Sequence, residues 1–435
     1  MNKKVLIITY YFPPSGGSGV QRWLKFTKYL PEFGWEPIVY TPENPDFEIK
    51  DESLLNDVPP NTVVLKRKIW EPYHIYRFIV GEKKNKSNIN NNKPKSKKNG
   101  FLHKIAFTLR GNLLIPDPRC FWIRPSFNYL KKYLSENPVD AIVSTGPPHS
   151  MHIIARKLHK KTQIPWIADF RDPWTNIDFY KELNLTCLAD KIHHKKEQEI
   201  ISEANCIVSV TPTWCAEFEA KHPQKIALVH NGYDESDVGK TNVALDADFS
   251  LVHIGIINKD RNPKVLWEAL HLLLKEDDDL RKALKIKLVG NIDATVSSDI
   301  EQYKLSSYIE TISYLPHKEA IEFQQKAQIL LLLINNTPNA GGILTGKLYE
   351  YMASLRPVLA IGPTESDIAT LLHETKAGSI IDFKDVEGMK AELLHLFGQY
   401  KSGTLSSSTT GYQQYSRRAQ CGIMANLLNE ISINR

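Results

Sequence analysis

Short apolar runs alternate with longer amphipathic stretches along the chain, and near the middle that alternation restarts. Each short run reads as a buried strand and each longer stretch as a helix, which predicts parallel strand–helix–strand units. The first half offers strands at Val5–Thr9, Pro37–Thr41, Asp140–Thr145, Ile164–Asp169, Ala204–Val210 and Ile226–His230. Helices are predicted over Val20–Phe33 and Lys191–Ser202. The second half offers strands at Phe249–Ile254, Ile286–Gly290, Ile309–Ser313, Ala327–Ile334, the run after Pro357, and Ser379–Asp382. Its helices are Asn262–Leu274, His317–Lys326, a short one from Thr345 or Gly346 to Ser354, and Val386–Tyr400. The pattern is that of an α/β chain with two doubly wound domains, 1–235 and 249–411, joined by a polar linker at 236–248. Residues 412–435 then carry a last amphipathic helix from about Tyr412 to Leu428.

Composition changes this picture little. With 435 residues the chain is long for one core, while 42% hydrophobic and 24% charged residues are ordinary for a globular protein. The net charge of +6 suits anionic ligands or a membrane surface without demanding nucleic acid, which is not expected as a partner. The five cysteines (Cys120, Cys187, Cys206, Cys215 and Cys421) lack C-x-x-C spacing, which points to a reducing compartment without structural zinc or disulfides. Met1–Lys4 runs straight into a strand too short for a signal peptide, and no later window could span a bilayer. A cytoplasmic protein is expected. Lys83–Gly100 is lysine- and asparagine-rich, an insertion expected to be disordered, whose seven lysines offer peripheral contact with the inner face of the membrane. The basic, aromatic stretch Phe101–Phe127 fits an acceptor-side or interfacial helix, or plain core packing.

Polar residues gather where ligands bind in open α/β sheets, beyond the carboxyl ends of strands. After the first strand comes Tyr10–Gly19, whose Gly16, Gly17 and Gly19 suit a flexible loop beside a ligand. The spacing is not the dinucleotide fingerprint. Two neighbouring strands deliver His149 and the Asp169, Arg171 and Asp172 set, a candidate catalytic cluster. Structural roles compete, such as an Asp capping a helix and an Arg paired to it. In the second half Arg261 lies near a helix start, and Thr345-Gly346-Lys347 opens another helix behind glycines, where backbone amides suit a phosphate. Glu350, one turn deeper, is placed to accept from a ribose hydroxyl pair. Lys347, Glu350 and Ser354 share a face, with Leu348, Met352 and Leu355 at core spacing opposite. Gly341–Lys347 also fits G-x-x-x-x-G-K, but Leu348 stands where a P-loop needs a hydroxyl for magnesium.

Five stretches carry a resemblance: VLIITYYFPPSGGSGVQRW, IADFRDPW, HNGYD, GIINKDRNP and GKLYEYMASLRPVLA, in this order along nearly the whole chain. Together they resemble GT-B glycosyltransferases, most similarly family 4 of the retaining enzymes in the branch building bacterial surface polysaccharides. The resemblance implies two Rossmann-like domains facing across a cleft, with the acceptor mainly on the first and a nucleoside-diphosphate sugar mainly on the second. It implies that the final helix crosses back to the first domain. By it Gly16, Gly17 and Gly19 line the donor phosphates, Arg261 is a phosphate-binding base and Glu350 holds the ribose. Two departures stand out. The family's second Glu falls at Gly342, and Arg171 stands near the place of its catalytic-site His.

The implied activity is retaining transfer to a glycan or lipid-linked acceptor with no cofactor and no metal, the sugar nucleotide being a co-substrate. Positive charge aimed at the departing diphosphate would lower the barrier, supplied by Arg261, Lys347 and helix N-termini. Asp246-Ala-Asp248 spells D-x-D but lies in the expected linker. The alternatives are a sugar-nucleotide epimerase or hydrolase, and a non-catalytic binding or scaffold protein.

Overall fold

The computed structural model describes residues 2–433, except 47–49, 73–107, 109, 223–224, 239–242 and 314. The lysine-rich insertion at 83–100 and the start of the Phe101–Phe127 stretch therefore lie outside the described residues. The chain divides into two compact units, 1–229 with 421–435, and 230–420.

In the first unit the elements run β1 (Lys3–Ile8), α1 (Ser18–Tyr29), β2 (Trp35–Pro42), β3 (Val63–Arg67), α2 (Cys120–Glu136), β4 (Ala141–Gly146) and α3 (Ser150–Thr162). They continue with β5 (Trp166–Phe170), α4 (Cys187–Glu203), β6 (Cys206–Ser209), α5 (Pro212–Lys221) and β7 (Ile226–Leu228). Among the described residues the seven strands are all parallel, in the order β3-β2-β1-β4-β5-β6-β7. Val5, Leu6, Ile7 and Ile8 are fully buried, as an unbroken apolar run covered on both faces must be. Gly17, at φ 84°, is the N-cap that turns the chain into α1, and Gly34, at φ 79°, ends the following 3₁₀ turn before β2.

In the second unit they are β8 (Phe249–Ile254), α6 (Lys264–Glu276), α7 (Asp278–Ala283), β9 (Leu284–Val289), α8 (Ala294–Gln302), β10 (Ile309–Ile312) and α9 (His317–Lys326). Then come β11 (Ile329–Leu333), α10 (Gly346–Ala353), β12 (Val358–Ile361), α11 (Asp367–Thr375), β13 (Gly378–Ile381) and α12 (Val386–Lys401). Its six strands among the described residues are parallel and follow the order β10-β9-β8-β11-β12-β13. Both sheets thus share one winding, with strand order reversing between β1 and β4 and again between β8 and β11. Those reversals are where open α/β sheets hold ligands.

The last helix, α13, spans Arg417–Ile433 rather than starting near Tyr412, because Tyr412–Tyr415 forms a separate 3₁₀ turn. From Cys421 onward it packs into the first unit's core: Cys421, Met424 and Leu428 are fully buried in one cluster with Val5, Ile7 and Trp23. Two further expectations need correction. Strand β3 was not predicted, since Val-Val-Leu-Lys-Arg at a sheet edge is only partly covered and shows neither clean alternation nor a long apolar run. Leu355 does not join the core of α10: it lies beyond the helix end, 44% exposed, at φ 56°.

Candidate functional site

At the first reversal the loops after β1, β4 and β5 come together. Asp169, near the end of β5, is fully buried and accepts four hydrogen bonds. They come from Arg22 Nε at 3.2 Å and Nη2 at 2.9 Å, Trp23 Nε1 at 2.7 Å and Thr145 Oγ1 at 3.0 Å. Burial by itself would raise its pKa, but the Arg22 charge and these donors hold the carboxyl below the ordinary range. Asp169 therefore ties α1, β4 and β5 together. Arg171 has a comparable duty to backbone: it donates to Gly19 O at 2.6 Å, to Gly146 O at 3.4 Å and to Pro147 O. It thereby clamps the glycine loop to the β4–α3 turn. Gly19 itself lies in the first turn of α1, with Gly16 and Gly17 before it.

His149 is the N-cap residue of α3 without a side-chain capping bond, 7% exposed, its ring flat on Trp174 at 4.6 Å and 1°. Burial, then His152 and Arg171, push its pKa well below the usual range, so the imidazole is neutral. His152 donates or accepts through Nδ1 with Ser144 Oγ at 2.7 Å, and burial pushes it down to about 3 against the pull of Asp169. His149 Nδ1 and His152 Nε2 both have no partner among the described residues. Both flank Gly146, where a Cβ would stand 2.6 Å from His152 Nε2 and 3.1 Å from His149 Nδ1. Asp172 is half-buried, its carboxyl raised by burial against the effect of Arg171.

At the second reversal, the loop after β8 and the loop before α10 are stitched together. Asn336 N donates to Asp260 O at 2.7 Å, and Arg261 Nε donates to Asn335 Oδ1 at 3.0 Å. Arg261 Nη1 also donates to Ile256 O at 3.2 Å. From the first turn of α10, Lys347 reaches across Gly255 so closely that a Cβ there would collide with Nζ. Gly255 sits at φ 136°, which only glycine adopts without strain. Lys347 Nζ has no hydrogen-bond or ion-pair partner among the described residues. Burial, followed by the Arg261 charge, pulls its pKa down to about 8, with Glu350 opposing.

Two buried polar atoms share that environment. Thr345 Oγ1, at the N-cap of α10, makes no capping bond and has no partner among the described residues. His253 Nδ1 lies 2.9 Å from Leu331 O, and since a carbonyl only accepts, Nδ1 carries the proton. The other nitrogen, Nε2, is a buried, unpartnered acceptor that a Cβ on Gly255 would meet at 3.8 Å. Burial, then Lys347, hold His253 down to about 3. Glu350, one turn further along α10, accepts from Gln324 Nε2 at 3.5 Å. Gly342 closes a buried 3₁₀ turn and offers no carboxylate.

Arg261, Thr345, Gly346, Lys347 and Glu350 are thus gathered in the second unit, and His149, Asp169, Arg171 and Gly16–Gly19 in the first. Sequence reading did not single out Arg22, Trp23, His152 or His253. Of these, His253 carried a usable signal, being a polar residue inside a buried strand next to its carboxyl end. Arg22 carried none, since its partner lies 147 positions away.

No family model and no curated protein sequence matches this chain. Among solved structures, a glycosyltransferase from Rickettsia africae is 13% identical, with TM-score 0.64 over all of both chains. An Anabaena protein solved with UDP-glucose is 10% identical, with TM-score 0.54 over 99% of this chain and 98% of that one. The fold is GT-B. It is shared with a putative UDP-N-acetylglucosamine 2-epimerase from Listeria monocytogenes, 12% identical, TM-score 0.54, over 99% of this chain and 97% of that one. At such identities the likeness speaks for the fold, and function has to be argued from the two sites.

Proposed function

We propose that this chain is a metal-independent, retaining glycosyltransferase akin to family 4. It would move a sugar from a nucleoside-diphosphate sugar to a glycan or lipid-linked acceptor in bacterial cell-surface polysaccharide synthesis, at the cytoplasmic face of the membrane. The observation that carries the reading is Lys347 Nζ. It is an unpartnered ammonium, partly desolvated, at a helix N-terminus beside Arg261 and the unpartnered hydroxyl of Thr345. A diphosphate would satisfy all of these at once. As the bond to the sugar breaks, negative charge grows on the leaving diphosphate, and these fixed cations stabilise it with little reorganisation. Glu350 would accept from the ribose hydroxyls. The acceptor side lies in the first unit, where Arg171 holds the glycine loop and His149 presents a neutral imidazole able to orient a hydroxyl.

Calorimetry with a panel of nucleoside diphosphates and sugar nucleotides tests this. Wild type should prefer one base, and Arg261→Ala and Glu350→Ala should each weaken it about tenfold or more, roughly 1.4 kcal/mol. A folded protein that binds no member of the panel removes the proposal. One observation favours a second reading, binding without sugar transfer: Gly342 and the protein-saturated Asp169 supply no free carboxylate. Donor binding with no transfer to any acceptor glycan would select it, and sugar-nucleotide epimerisation or hydrolysis would select the epimerase or hydrolase reading.

A further inference from the structure

Strand β8 is tied to α10 at its carboxyl end by one hydrogen bond, from Ile254 N to Tyr351 Oη at 3.2 Å. Tyr351 is fully buried, so this bond fixes the helix against the strand end. Lys347 stands four residues before Tyr351 on the same face of α10, and is thereby delivered to Gly255, the next residue of the strand's loop. A Cβ on Gly255 would collide with Lys347 Nζ and stand 3.8 Å from His253 Nε2. The bare glycine thus leaves a small space that both nitrogens face. They are complementary. An ammonium carries three N–H groups and accepts nothing. His253, 1% exposed, is held in one tautomer because its Nδ1–H donates to Leu331 O of β11 at 2.9 Å, which leaves Nε2 able only to accept. Neither Nζ nor Nε2 has a hydrogen-bond partner among the described residues.

A buried acceptor left without a donor is destabilising, and a diphosphate, ionised near neutrality, brings no donor to it. Lys347 does. We infer that His253 is a positioning residue for Lys347: its Nε2 accepts one N–H of the ammonium and aims the other two at the diphosphate. The inference rests on the donor site proposed for the second unit. Lysine has a flexible four-carbon stem, so rotation about its outer bonds carries an N–H onto Nε2 without moving α10. Holding the ammonium beforehand reduces the ordering that binding would otherwise require of it. A carboxylate in this place would neutralise the charge that the diphosphate needs. The imidazole orients that charge and leaves it available, because burial and then Lys347 itself keep the ring from taking a proton. A hydroxyl of the ligand's sugar is the competing donor for Nε2.

The titration of Lys347 can be followed in the full chain without ligand, through the carbon resonance of its Cε. The charged and titratable groups acting on it are Arg261 from the loop after β8, Glu350 from α10 and His253 from β8. Wild type should titrate at about 8. His253→Leu removes the acceptor from the charged form and should lower that midpoint by about one pH unit. His253→Gln, whose side-chain carbonyl can stand in for Nε2, should restore most of it. Both variants remove the ring N–H that Leu331 O accepts, so the acceptor is the difference between them. Calorimetry with the tightest binder among UDP, GDP, ADP, CDP and dTDP should show about a threefold to tenfold loss in His253→Leu. The same change should add nothing in a Lys347→Ala background. Three results would overturn the inference. One is a Lys347 titration unmoved in folded His253→Leu, and another is an equal shift in the Leu and Gln variants. The third is a loss confined to sugar nucleotides such as UDP-glucose, which would give Nε2 to a sugar hydroxyl. If wild type binds no nucleotide while the titration moves as expected, the pairing with Lys347 stands and the donor site falls.

Discussion

The two units share one strand winding and place polar residues at the same point of it, yet they use those residues in opposite ways. In the first, Asp169 is saturated by Arg22, Trp23 and Thr145, and Arg171 spends its guanidinium on three backbone carbonyls. In the second, Lys347 Nζ, Thr345 Oγ1 and His253 Nε2 have no hydrogen-bond partners among the described residues. A cluster of charges at a strand end is therefore not in itself a site. What separates a strut from a binding group is whether its hydrogen-bonding capacity is already used. The sharpest break of the comparison is to remove one charge from each side.

The largest effect is expected from Asp169→Ala. It leaves Arg22, 2% exposed, as a buried charge without its carboxylate, which typically costs about 3–5 kcal/mol. Denaturant unfolding should show the first unit's transition shifted strongly, while nucleotide affinity of the protein that remains folded is unchanged. A small stability change with lost turnover would instead make Asp169 a catalytic group. Lys347→Ala should do the reverse. It removes a desolvated charge that has no hydrogen-bond or ion-pair partner among the described residues, so stability holds or rises slightly. Diphosphate affinity should fall ten- to a hundredfold, in line with about 1.5–3 kcal/mol for hydrogen bonds to a charged group. Calorimetry and thermal unfolding on the same sample separate the two outcomes.

This contrast also marks how far the sequence could be read. The windings were legible because central parallel strands, buried on both faces, appear as unbroken apolar runs such as Val5–Ile8 and Ile329–Leu333. Edge strand β3 was not, since half its surface faces water and its pattern resembles a loop. That polar residues would cluster after β5 and before α10 was likewise legible, because strand ends are fixed once strands are placed. Which of them would be used up was not. Asp169 is saturated by Arg22 and Trp23 on α1, and a contact of that sequence separation leaves no mark on either local pattern. His253 did leave a mark, as a polar residue inside a buried strand, but the approach of Lys347 to it depends on Gly255 being bare enough for the lysine to pass.

That dependence gives a subtler test than deleting Lys347. In Gly255→Ala the new methyl group collides with Lys347 Nζ, and the backbone at φ 136° becomes strained, on the order of 1–3 kcal/mol. The substitution should lower stability moderately and diphosphate affinity by less than Lys347→Ala, because a displaced ammonium still carries its charge. Unchanged affinity would mean that Lys347 does not act from the position it holds over Gly255.

The smallest effect concerns the proton on Lys347. With its pKa pulled down to about 8, the ammonium is present below that pH and lost above it. A diphosphate binds the charged form better, so affinity should be steady near neutrality and decline as pH rises through about 8. The ligand's own last ionisation lies lower, with its midpoint at about pH 6, so it is nearly complete before the decline at about pH 8 begins. The origin of the shift supplies the control. Burial is its first cause and the Arg261 charge its second, while Glu350 works the other way. Arg261→Ala should therefore weaken binding overall but move the decline to higher pH, and Glu350→Gln should move it lower. Lys347→Ala should flatten the profile. A decline that stays in place in all three variants would assign the titration to another group and leave Lys347 as a charge whose state does not change in this range.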